Sequence, residues 1–168
     1  TGGFTYFVAG LVQSGTSAYL KILRSVDACV TFTVHATNVI TFSSASTITF
    51  DMVRIAWGGG NTLFVAVHRN NAGTHTALHY ISTDLGQRWT ALSSVTDARI
   101  HTMRNDPDGN VLYVYMVSTG AQPLAVKRAL KGNSTFATMT APSGADTYST
   151  AHLGMAYVPG GRFAVMGR

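Results

Sequence analysis

One shift of register carries two separate motifs of this chain onto themselves. Laying Gly3-Phe4-Thr5-Tyr6-Phe7-Val8-Ala9 on Gly60-Asn61-Thr62-Leu63-Phe64-Val65-Ala66 also lays Ser25-Val26-Asp27 on Ser82-Thr83-Asp84, and Phe32 on Trp89. A third copy of the first motif, Gly109-Asn110-Val111-Leu112-Tyr113-Val114, puts Leu112 under Leu63. Ala129-Leu130-Lys131-Gly132-Asn133, running on to Phe136, repeats the spacing of the second motif. A fourth start, Gly160-Gly161-Arg162-Phe163-Ala164-Val165, stands near the end. Each of the last three Gly turns follows its own strand-like run, at residues 52–57, 100–104 and 152–158. The repeating unit is strand, Gly turn, strand, loop, strand, polar turn, strand. Short alternating runs between Gly, Asn and Asp turns, with no amphipathic helical period, predict an all-β chain.

Four antiparallel strands in roughly 50 residues is the size of a β-propeller blade. The repeats predict one propeller region over residues 1–168, divided near 1–51, 52–98, 99–150 and a partial 151–168. That is about three and a half blades. Blade edges left unpaired are avoided by soluble folds, so the expectation is a piece of a longer chain. Residues 37–51 make the first unit longer than the others, and their two alternating runs about Ser43 to Ser46 predict an extra hairpin.

Ser82-Thr83-Asp84-Leu85-Gly86-Gln87-Arg88-Trp89 is a complete S-x-D-x-G-x-x-W pattern. Asp84 can accept turn amides, Gly86 can take a left-handed backbone, and Trp89 can bury its ring between blades. The pattern resembles the Asp-box repeat of sialidases, sortilin-like receptors and many phage proteins. In the first copy Ser25, Asp27 and Phe32 persist, with Cys29 in the glycine's place. In the third, Asn133 and Phe136 persist. The aromatics Phe32, Trp89 and Phe136 are expected to be buried in equivalent places. The resemblance implies that these carboxylates staple hairpins rather than catalyse.

Val53-Arg54-Ile55-Ala56, then Arg69, then the box at Ser82, is similar to the first blade of a sialidase. The likeness implies that Arg54 and Arg69 are candidate glycan-binding residues, gripping a sugar carboxylate. Ala56 stands where the family has proline, residues 68–81 contain no Asp, and the chain has no Glu. The family's acid and the partner of its Tyr nucleophile therefore have no counterpart, and neither Tyr113 nor Tyr115 takes the nucleophile's role. No catalytic residue is assigned.

Composition narrows the partners. The net charge of +5 reflects few acids, seven Asp, against twelve scattered bases. Only Lys127 and Arg128 are adjacent, which is unlike the basic stripe of a nucleic-acid binder. No apolar run approaches the roughly 20 residues that span a bilayer. His75 and His79 would meet only on a helix, so no metal and no cofactor are expected. Gly58-Gly59-Gly60 lies between strands rather than before a helix, so it is no phosphate cradle. Met52, Met103 and Met155 recur in first strands as core. Cys29 is the one cysteine, which excludes an intrachain disulfide.

The stretch from Met52 to Thr90 resembles propeller repeats of tailed-phage structural and tail proteins. That likeness implies a non-enzymatic binding or assembly propeller in a virion or outside the cell, with a cell-surface glycan or another virion protein as partner. Two alternatives stand beside it: a sialidase-like glycoside hydrolase or its inactive descendant, and a secreted bacterial adhesion propeller.

Overall fold

A computed structural model describes residues 5–14, 16–43, 48–117, 124–139, 154–158 and 162–166. The fold is all-β, with antiparallel sheets in meander order laid as propeller blades. The first sheet contains β1 (Tyr6–Ser14), β2 (Ser17–Ser25) and β3 (Thr33–Ser43). The second contains β4 (Ile48–Trp57), β5 (Leu63–Asn71), β6 (Thr74–Ser82) and β7 (Thr90–Ala91), and the short β8 (Val95–Thr96) also pairs with β6. The third contains β9 (Ala98–Asn105), β10 (Val111–Val117), β11 (Leu124–Ala129) and β12 (Ala137–Thr138). The fourth pairs β13 (Gly154–Val158) with β14 (Arg162–Met166). The Gly160-Gly161 turn and the 118–123 loop lie outside the described residues.

Alternation along the strands decides how the sheets stack. On β5, Val65 and Val67 pack with Leu20 and Ile22 of the first sheet. Phe64 and Ala66 point the other way, onto Met103, Val111 and Tyr113 of the third sheet. Side chains on a strand alternate between faces, so β5 is buried on both sides. The edge strands β1, β4, β9 and β13 pack one on the next and form the inner margin of the series.

Three cross-strand pairs fix the equivalence of the blades: Tyr6 faces Ser25, Leu63 faces Ser82, and Val111 faces Ala129. Val111, not Leu112, therefore corresponds to Leu63. The turns after Trp57 and Asn105 are equally long, because Trp57 pairs with Leu63 as Asn105 pairs with Val111. Their left-handed glycines differ, however: Gly59 and Gly60 in one, Gly109 in the other. Matching the glycines slips the alignment by one residue, and such a slip exchanges the faces of a strand.

The predicted extra hairpin is also corrected. Its two runs belong to β3, which pairs with β2, and β4, which pairs with β5. They lengthen neighbouring blades instead of pairing together, because each already has a long partner. Residues 44–47 lie outside the described set.

Candidate functional site

At one rim of the second sheet, the Ser82–Trp89 turn uses its polar groups on itself. Ser82 Oγ accepts the Gly86 amide at 2.7 Å and donates to Asp84 Oδ1 at 2.8 Å. Asp84 Oδ1 also accepts the amides of Gln87 (3.0 Å) and Arg88 (2.9 Å). These donors stabilise the charged form, so the Arg88 amide, then Ser82, hold the carboxyl below its usual range. Leu85 and Gly86 take left-handed backbones, φ 58° and 90°.

The first blade repeats the clamp. Ser25 Oγ donates to Asp27 at 2.7 Å and accepts the Cys29 amide at 3.0 Å. The Thr31 hydroxyl and amide cap Asp27, lowering its pKa to about 2. Cys29 adopts φ 68°. In the third blade Ala129 has no hydroxyl, and the turn closes through the Asn133 amide on the Leu130 carbonyl at 2.9 Å.

The expectation that the three aromatics are buried needs correction. Trp89 is half-buried and donates its indole N–H to the Gly86 carbonyl at 3.1 Å. Phe136 is half-buried against Phe64, with ring centroids 4.6 Å apart. Phe32 is 40% exposed. The first two rings pack against the clusters shared with the preceding sheet. Among the described residues no sheet covers that side of the first blade.

Arg54 and Arg69 do not converge. Arg54 is paired with Ala66, so it shares the face that looks toward the third sheet, while Arg69 shares the face of Val65 and Val67. Arg54 Nη1 donates to the Val53 carbonyl (3.0 Å), and Arg69 Nη2 to Thr76 Oγ1 (3.4 Å). Two cations on opposite faces of one sheet cannot grip one carboxylate together.

The histidines instead form a tie between blades. Arg99 on β9 donates to His75 Nε2 at 2.9 Å, and His75 Nδ1 meets His68 Nε2 at 3.0 Å. With Arg99 as donor, His75 must carry its proton on Nδ1 and donate it to His68. Both residues are buried, and their rings lie nearly parallel, planes 14° apart and centroids 5.1 Å apart. His79 turns elsewhere: its Nδ1 donates to the Ser93 carbonyl at 2.9 Å, and its ring meets Tyr113 edge-on at 4.8 Å. Among the described residues no three metal-ligating side chains gather. Sequence reasoning missed the His68–His75 pair. The signal was Ala72-Gly73: a turn there puts His68 and His75 at nearly matching heights on β5 and β6.

The concave site that sequence reasoning did not single out lies at the inner margin, where β1 begins and β4 and β9 end. A groove of about 370 Å³ is lined there by Thr5, Tyr6, Phe7, Ile55, Trp57 and Asn105. Trp57 is held by its indole N–H on the Gly60 carbonyl, 2.9 Å. Tyr6 is 39% exposed. Three aromatic rings, an amide and two hydroxyls, with no ionised group among those residues, offer flat apolar contact and neutral hydrogen bonds.

No protein-family profile and no curated protein matches this chain. Among solved structures, the chain is similar to one titled "YCF48 bound to D1 peptide", with 12% identity and a TM-score of 0.34. The match covers 98% of this chain and 65% of that one, so this chain spans less than two thirds of the other's length.

Proposed function

We propose that this is a non-catalytic binding propeller with Asp-box blades, acting at a virion surface or phage tail, and that it holds a neutral cell-surface glycan in the Tyr6–Trp57 groove. The observation that carries the reading is the groove itself. Its volume falls in the ~300–1,000 Å³ range of small-ligand sites. Its rings can take the C–H faces of a sugar while Asn105 and Thr5 meet hydroxyls. The virion setting rests on the resemblance of the stretch from Met52 to Thr90 to phage repeats.

Two features weigh against a hydrolase. Asp27 and Asp84 are occupied by turn amides and hydroxyls, and the arginines face apart. An oligosaccharide array followed by calorimetry on the best neutral ligand tests the reading. Trp57→Ala and Asn105→Ala should each weaken binding at least tenfold, whereas Arg54→Ala and Arg69→Ala should leave it unchanged. Binding indifferent to Trp57 and Asn105, or release of sialic acid from a fluorogenic sialoside, would overturn it.

A further inference from the structure

The seam between the second and third sheets brings two cross-strand rows together. Arg54, Ala66 and His79 lie opposite one another across β4, β5 and β6. Met103, Tyr113 and Lys127 do the same across β9, β10 and β11. Residues opposite one another share a face, and Ala66, Met103 and Tyr113 belong to one buried cluster, so the two rows face each other. At their outer ends stand His79 and Lys127. A cleft of about 100 Å³ is walled there by both of them, with Leu92, Ser93, Thr135 and Phe136.

The polar groups of this cleft are not all used within the chain. His79 is 3% exposed, and its Nδ1 donates to the Ser93 carbonyl, which leaves Nε2 as a bare acceptor. Among the described residues nothing donates to it. Burial, and with it the nearby Lys127 charge, disfavours a second proton on the ring. Nε2 therefore stays an acceptor at neutral pH. Lys127 is half-buried and pairs with no carboxylate among the described residues. Buried polar groups are nearly always matched, so the cleft calls for a partner with a donor for His79 and a negative charge for Lys127. Leu92 and Phe136 call for carbon between the two.

We infer that this cleft binds a short 2-hydroxycarboxylate, whose hydroxyl donates to His79 Nε2 and whose carboxylate meets the Lys127 ammonium. Its carbon chain lies on Leu92 and Phe136. The Ser93 and Thr135 hydroxyls can donate to the second carboxylate oxygen. Size sets the class. A cavity of about 150 Å³ holds benzene, so this cleft has room for a three-carbon acid and too little for a pyranose ring.

Titration calorimetry of the whole chain with D- and L-lactate tests it. At least one enantiomer should bind saturably, one to one. Propionate lacks the hydroxyl and lactamide lacks the charge, and each should bind at least tenfold more weakly. Lys127→Met keeps the length of the side chain and removes its charge, while His79→Phe keeps a ring and removes the acceptor. Each should weaken lactate binding at least tenfold, with far-UV circular dichroism unchanged. Lys127 is only half-buried, so its variant decides the matter even where His79→Phe fails to fold. Absence of lactate binding, propionate binding equally tightly, or lactate binding untouched by Lys127→Met would sink the inference. So would a crystal grown in lactate that shows only a water on His79 Nε2. Lys127 takes no part in the Tyr6–Trp57 groove, so neutral-glycan binding should persist in Lys127→Met, and the two readings stand or fall separately.

Discussion

The Ser82 hydroxyl accepts the Gly86 amide at 2.7 Å, a side chain closing a turn from inside the strand that leads into it. Ser82 is 1% exposed, so removing its oxygen leaves a buried amide without its partner. Ser82→Ala should lower stability by about 1–2 kcal/mol, read from the midpoint of urea unfolding. Ala129 stands at the same place in the third blade, 1% exposed in the apolar core and without that bond, so Ala129→Ser buries a hydroxyl there and should cost about 1–3 kcal/mol.

Cys29 and Gly86 share a left-handed backbone, yet only one of them is glycine. At Gly86 an added Cβ would stand 3.3 Å from Leu63 Cδ1 at φ +90°, so Gly86→Ala should cost about 1–2 kcal/mol. Cys29 already carries that strain at φ 68°. Cys29→Gly should be neutral to about 1 kcal/mol stabilising, measured as a rise in thermal midpoint.

Ring position should govern the cost of aromatic truncation. Phe136 touches Phe64 and Tyr113, and Phe136→Ala should cost about 2–3 kcal/mol, somewhat below the full burial range. Phe32→Ala should cost under about 1 kcal/mol in the monomer. Equal losses in parallel urea titrations would contradict the difference in burial between the two rings.

Acid should destabilise the chain through His79. Burial holds its imidazole below the ordinary value of 6.5, so the unfolded chain binds the proton more readily than the folded one. Stability from this group is complete above pH 6.5 and declines as pH falls toward and through the lower folded-state value. The urea midpoint should therefore drop on acidification below pH 6.5, and His79→Gln should flatten that part of the profile. A profile unchanged by the substitution would remove His79 as its cause.

Much of the architecture could be read from residues, because the strand pairs β4–β5 and β9–β10 follow from Gly turns between alternating runs. What escaped was register. Gly109 serves its turn one position later than Gly60 serves its own, so matching glycines assigned Leu112 to the face that Val111 occupies. The same gap hid the divergence of Arg54 and Arg69, since a side chain's face depends on which residue lies opposite. The groove was hidden for another reason: Tyr6, Trp57 and Asn105 come from three blades and meet only after stacking.

The double burial of β5 has a consequence for how the molecule comes apart. Val65 and Phe64 are neighbours in sequence but serve different seams. Loosening either seam strips one side of the same strand and leaves the other held by half its support. Melting that begins at one end should therefore spread through β5 as through a shared wall, and the first three blades should come apart in one transition rather than as three separate events.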